Sequence, residues 1–301
     1  MTSTDGKTKL TTLLGNYPNA MALKKGEVKS GLVDFDFADV KVSNTAFKPL
    51  VRDAKFDVAE LAIVTYLQAK VYGKPYVLIP ATVLGRGQHH TIAYNPERGH
   101  LSPSDLAGKR VGVRAYTQTT GAWVRGFLSQ DYGIDLNGVT WVTFEDPHLA
   151  EYRDPPNVER AADGKVLKQM LLDGEIDAAI LGDVAAEGPI KHLIPDHESA
   201  GREWARRHGG VPINHLAVMR EEIVKSRPDV VREVYRVLKE SRAAASLPAG
   251  ADDPLRFGIG AIRQSLEQIN AYAVAQKLIP RAFSADELFA DAARILGTAA
   301  E

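Results

Sequence analysis

The side chains of this 301-residue chain that could do chemistry fall in a few short stretches. Glu60 ends the apolar run Phe56-Asp57-Val58-Ala59-Glu60-Leu61, where a carboxylate could carry a proton or bind a hydroxyl, or simply cap a helix. Arg86 lies in the glycine-bearing segment Gly85-Arg86-Gly87; its guanidinium could hold a carboxylate by two hydrogen bonds, or be a solvated hinge residue. His89 and His90 are adjacent, so on a strand they would point to opposite faces and only one could meet a ligand. Thr119, Thr120 and Gly121 sit where a helix follows a strand, and open backbone N–H groups there suit an anion such as a carboxylate. A helix-capping role for Thr119 is the alternative. Asp183 follows a strand and is either a cleft residue or a loop cap, and His215 interrupts the apolar run Ile213 to Met219. Imidazole and carboxylate together suit general acid–base chemistry near neutral pH.

These residues need elements to hold them. Lys9 to Leu14 reads as a strand that stops at Gly15-Asn16-Tyr17-Pro18, and Val33, Phe35 and Phe37 alternate with Asp34 and Asp36 as a strand buried on one face does. Residues 44–53 read as a helix, 56–61 as a strand, 63–72 as a helix and 76–79 as a strand. A second unit begins near Gly85, with strands expected at 90–94, 109–116, 139–144 and 176–181 and helices at 119–130 and 163–172. Ser102-Pro103-Ser104-Asp105 has the residues of a capping box. Residues 146–163 carry Pro147, Pro155 and Pro156 and read as a loop over a surface or a cleft. After the strand 213–219 the chain turns helical, with Val230, Val234, Val237 and Leu238 as a buried stripe. Strands alternating with helices predict α/β units with parallel sheets. The lack of a linker suggests that the C-terminal helices return to the first unit. Trp123 and Tyr116 read as packing residues, and Arg202 to Arg207 and Glu221-Glu222 as solvated helix faces.

Composition narrows the partners. The chain is 45% hydrophobic and 25% charged, which places it among folded globular proteins. Lys and Arg total 37 against 38 Asp and Glu, so no chain-wide field exists for gripping nucleic acid. The absence of cysteine excludes disulfides, thiolate metal sites and a Cys nucleophile. No run of about 18 apolar residues predicts a membrane span. The first ten residues lack the apolar core of a secretory signal, so a cytoplasmic location is expected.

Leu101-Ser-Pro-Ser-Asp-Leu-Ala-Gly-Lys-Arg-Val-Gly-Val113 and Met170-Leu-Leu-Asp-Gly-Glu-Ile-Asp-Ala-Ala-Ile180 resemble the second domain of type II periplasmic-binding-protein folds. Arg86-Gly-Gln-His-His90, Tyr116-Thr-Gln-Thr-Thr-Gly-Ala-Trp-Val-Arg-Gly126, Tyr132-Gly133 and Val211-Pro-Ile-Asn-His-Leu-Ala-Val-Met-Arg220 look like the 4,5-dihydroxyphthalate decarboxylase family, over most of residues 8–240. One departure is His89, where the family pattern has an arginine. The resemblance implies a two-domain α/β clamshell, 1–84 plus 214–301 against 85–213, with a ligand cleft between the domains. It also implies a cytoplasmic carboxy-lyase that takes 4,5-dihydroxyphthalate to protocatechuate and CO2. His90 and His215 are then the candidate acid and base, with Glu60 in reserve. Arg86, His89, Thr119, Thr120, Gly121 and Asp183 would bind the small aromatic carboxylate. No organic cofactor is expected. A divalent metal held by His90, His215 and Glu60 stays open, as does a homo-oligomer. The competing function is a solute-binding protein for an aromatic acid or similar anion, and a further one is another lyase of this fold, such as chorismate dehydratase.

Overall fold

The computed structural model describes residues 6–184, 188–247 and 253–301. The chain begins with β1 (Thr8–Leu13), α1 (Pro18–Lys24), β2 (Val33–Phe37), α2 (Phe47–Asp53), β3 (Val58–Ala62), α3 (Ile63–Val71) and β4 (Tyr76–Gly85). It continues through β5 (Ile92–Tyr94), β6 (Arg110–Val113), α4 (Thr119–Tyr132), β7 (Thr140–Thr143), β8 (Val158–Arg160), α5 (Leu167–Asp173), β9 (Ala178–Ile180), β10 (Lys191–His192) and α6 (His197–His208). Then come β11 (Ile213–Arg220), α7 (Glu221–Ser226), α8 (Pro228–Ala244), α9 (Ile259–Ala275) and α10 (Ala285–Leu296).

Two sheets result, with strand orders β2-β1-β3-β11-β4 and β10-β5-β9-β6-β7-β8. Both are mixed, where the alternation of elements predicts parallel ones. In the first sheet β11 runs antiparallel to β3 and β4, because the chain re-enters from the second sheet at the end where β4 left. In the second, β5 is antiparallel to β9 and β10 to β5. β4 runs to Gly85, six residues past the expected Ile79, because its partner β11 extends alongside it as far as Ile213. The irregular stretch after β7 contains the short edge strand β8, parallel to β7.

His89 to Thr91 form a 3-10 turn rather than the start of a strand. Both the backbone N–H and the hydroxyl of Thr91 donate to the Gln88 carbonyl, at 3.0 and 2.7 Å, which closes the turn. At Ser102 the expected capping box is present, on a 3-10 turn.

α8 returns to the first sheet's layer, where the Leu23 N–H of α1 donates to Ser241 Oγ at 3.1 Å. α9 departs from the expected docking: it packs on α4 of the second unit as well. Trp123 of α4 stands edge-on to Tyr272 of α9 and Trp204 of α6, with ring centroids 5.8 and 5.4 Å apart. Trp123 and Trp204 are fully buried. One apolar core thus runs through both sheets. Among the described residues no helix is long and apolar enough to cross a membrane.

Candidate active site

A cavity of about 390 Å³ lies where the two sheets meet, and its lining follows from strand direction. Tyr17 follows β1, Thr65 follows β3 and Arg86 follows β4, while Arg114, His148 and Asp183 follow β6, β7 and β9. All of these are carboxyl ends of strands, the end at which open α/β sheets bind ligands. The antiparallel β11 enters at this same end, bringing Asn214 and His215.

His215 and Glu60 meet through strand register. Ala217 of β11 lies opposite Glu60 of β3, so His215, two residues earlier, shares its face as the diagonal neighbour. His215 Nδ1 is 2.6 Å from Glu60 Oε2, and the Gly15 N–H donates to Glu60 Oε1 at 2.6 Å. The Glu60 side chain is fully buried and that of His215 nearly so. Glu60 therefore sits behind His215 in mid-strand, neither a surface acid nor a cap. The strand-to-helix turn at Gly15 is fitted to it: a Cβ there would lie 2.8 Å from Glu60 Oε1 and 2.6 Å from the Tyr17 ring. Burial and the Glu60 charge raise the Tyr17 phenol to about 12, so it stays protonated.

A second imidazole lines the cavity that sequence reasoning did not single out. His148 lies in the proline-bearing loop after β7, read as a loop over a surface or a cleft, and that reading was the one signal available for it. Its Nδ1 is 2.8 Å from Thr65 Oγ1 on α3. Arg52 of α2 donates to the carbonyls of His148 and Pro147, at 2.8 and 2.9 Å, pinning the loop to the first unit. The rings of His148 and His215 stand edge-on to the buried Phe47, at 5.6 and 5.2 Å. Burial, then Arg114, Lys48, His215 and Arg52, lower the His148 imidazole to about 3, leaving it neutral at pH 7.

The start of α4 faces the same cavity through Thr119 and Thr120. Gln118 is the N-cap residue and makes no side-chain cap, so the first N–H groups of the helix are left for a ligand. The two hydroxyls also join the scaffold: Thr119 Oγ1 accepts from the Val64 N–H at 3.2 Å, and Thr120 Oγ1 accepts from Asn214 at 3.4 Å. Gly121 is in the buried first turn, where a Cβ would come 3.1 Å from Arg125 Nη1. Arg125 is fully buried; Tyr116 and Gln276 hold it by hydrogen bonds, and its guanidinium lies 4.0 Å from the centre of the Tyr116 ring.

Arg86 and Asp183 also line the cavity, paired at 2.9 Å with the Asp183 side chain largely exposed. His90 is at the rim, 3.8 Å from Asp183, and is absent from the cavity lining. His89 is part of the core, 2% exposed and stacked on Phe127 at 4.0 Å with neither ring nitrogen hydrogen-bonded. The turn at 89–91 directs it inward, outside the cavity lining. Among the described residues no three His, Asp or Glu side chains converge to hold a metal, so His90, His215 and Glu60 do not form a ligand set. A more apolar pocket of about 460 Å³, bounded by Leu167, Leu181 and Ile190, adjoins the cavity through Arg114, Gln118, Gly182 and Asp183.

The chain is 30% identical over 253 residues to 4,5-dihydroxyphthalate decarboxylase of Comamonas testosteroni, spanning 79% of this chain and 76% of that one. The chain belongs to the 4,5-dihydroxyphthalate decarboxylase family. A second member, the 4,5-dihydroxyphthalate decarboxylase of Pseudomonas putida, is 32% identical over 214 residues, 66% of this chain and 82% of the relative. No protein-family model matches. In three dimensions this family member has the periplasmic-binding-protein-like fold, as in the periplasmic aliphatic sulphonate binding protein of Escherichia coli. That likeness has a TM-score of 0.60 at 10% identity, over 93% of this chain and 91% of that one.

Proposed function

We propose that the chain is a carboxy-lyase that converts 4,5-dihydroxyphthalate to protocatechuate and CO2 in the cavity between two domains, residues 1–84 with 214–301 and residues 85–213. Family membership supports the reaction, and the observation that carries it to this site is the His215–Glu60 pair beside an anion-ready helix start.

In this reading Arg114, Arg86 and the open N–H groups of α4 hold the carboxylate that stays, orienting the one that leaves. The leaving carboxylate lies toward Phe47, Ala62 and Leu84, whose apolar surface favours its loss as neutral CO2. An acid protonates the ring carbon that bears it, while a base removes the proton of the hydroxyl para to that carbon. Ring electrons form the new C–H bond and the hydroxyl oxygen becomes a carbonyl. The bond to the carboxylate then breaks, its electron pair restores the aromatic ring, and the oxygen regains a proton. One proton enters and one CO2 leaves. His215 is the acid, with the Glu60 carboxylate at 2.6 Å to balance its charge. Glu60 is a positioning residue, and no step runs through a metal.

The test is to incubate metal-stripped protein with 4,5-dihydroxyphthalate and follow CO2 and protocatechuate, then repeat with a divalent metal added. Turnover in both conditions is expected. Saturable binding without turnover in either condition would overturn the reading in favour of an anion-binding protein, a reading that the fold supports equally.

A further inference from the structure

We propose that His148 is the base that takes the hydroxyl proton in the reaction above, opposite His215 as the acid, and that a dianionic substrate makes it competent. The inference rests on the decarboxylase reading. Its basis is the contrast between two imidazoles on one cavity. Both pack edge-on against Phe47, so their ring centres are at most about 11 Å apart, a gap that one substituted aromatic ring can bridge. His215 has a buried carboxylate as partner; His148 has a neutral hydroxyl, that of Thr65. With Nδ1 on Thr65, Nε2 of His148 makes no hydrogen bond to the described residues and is the nitrogen left for a ligand. Arg52 fixes the backbone on which the ring sits.

Arg114, Lys48 and Arg52 face His148, with His215 beside them; the carboxylates nearby are turned to other partners, Glu145 to Arg114 at 3.1 Å, Glu60 to His215 at 2.6 Å and Asp183 of the same cavity to Arg86 at 2.9 Å. In the empty site they and burial keep the ring unprotonated, as a base requires, but also make it a poor proton acceptor. A ligand with two carboxylates adds negative charge next to these cations. Proton acceptance by His148 is thereby tied to occupancy: the ring turns basic when the substrate is in place. The imidazole backed by a carboxylate is thus placed to give a proton and the one backed by a neutral hydroxyl to take one.

His148→Gln keeps a neutral hydrogen-bonding side chain and removes the proton acceptor. Its kcat for 4,5-dihydroxyphthalate is expected to fall about 100-fold or more, and its affinity for phthalate, which lacks the hydroxyls, to change less than about threefold. In the wild type, NMR titration of the His148 ring should move to higher pH when phthalate is bound, and less with benzoate, which carries one carboxylate. If His148→Gln does not fold, Thr65→Val replaces it, expected to lower kcat about tenfold and alter its pH profile with phthalate affinity kept. A variant with wild-type kcat overturns the assignment of the base. A His148 titration that ignores phthalate overturns activation by substrate. A wild type that binds phthalate but releases no CO2 from 4,5-dihydroxyphthalate overturns the decarboxylase reading, and the base falls with it.

Discussion

The Glu60–His215 hydrogen bond joins two residues that the sequence marks one by one but separates by 155 positions. Glu60 stands in an otherwise apolar strand and His215 in another, and a buried ionisable group needs a partner that a linear pattern does not name. The partner is supplied by the pairing of β3 with β11. Glu60→Gln keeps an acceptor for the Gly15 N–H but removes the charge that balances a proton on His215. Steady-state CO2 release should show kcat down by about 10- to 100-fold with KM nearly unchanged, the signature of an interaction made in the transition state. A wild-type kcat in this variant would mean that His215 works without its carboxylate. His89 and His90 show the opposite case. Their adjacency suggests one face each, and the 3-10 turn does separate them, but it sends His89 into the core against Phe127 and leaves His90 at the rim.

At the scale of elements, the strand ends do most of the positioning, and the strands were legible from alternation and turn residues. What the pattern could not supply is where a loop lands. The loop after β7 carries three prolines and reads as a loop over a surface or a cleft, yet its histidine is useful only because Arg52 and Thr65 of the other unit receive it. Arg52→Ala removes both hydrogen bonds to the loop backbone from an exposed position. Turnover is expected to drop by about tenfold, because a small displacement of a reacting group is costly, while the thermal melt shifts by less than about 1 kcal/mol in stability. Unchanged turnover would show that the loop holds His148 without Arg52. The start of α4 was legible as an anion site, and its two hydroxyls, which accept from Val64 and Asn214, keep their O–H protons to donate.

For the whole molecule, buried histidine is expected to weaken the fold in acid. Burial lowers the His89 imidazole from 6.5 to about 4, so between these values the unfolded chain binds a proton that the folded chain refuses. Stability from this residue is full above about pH 6.5 and is lost as the pH falls toward 4, by up to about 3 kcal/mol. Thermal melts between pH 7 and 4 should fall steeply for the wild type and less for His89→Leu. Equal slopes for the two would assign the acid limit to other groups, His148 first among them. The same melts should show one transition, because the aromatic cluster of Trp123, Trp204 and Tyr272 makes the core continuous between the sheets.

The sequence by itself determined the α/β class, the order of most strands and helices, the exclusion of thiol chemistry, and the family, through motifs that are local and survive as strings of residues. Periodicity and turn chemistry act over a few residues, which is why they could be read. Tertiary structure alone decided that β11 runs antiparallel between β3 and β4, that Glu60 backs His215, that His148 enters the cavity and that His89 leaves it. Each of these depends on which distant backbone lies beside a residue. That is fixed by packing and strand register over the whole chain, and no short stretch of sequence carries it.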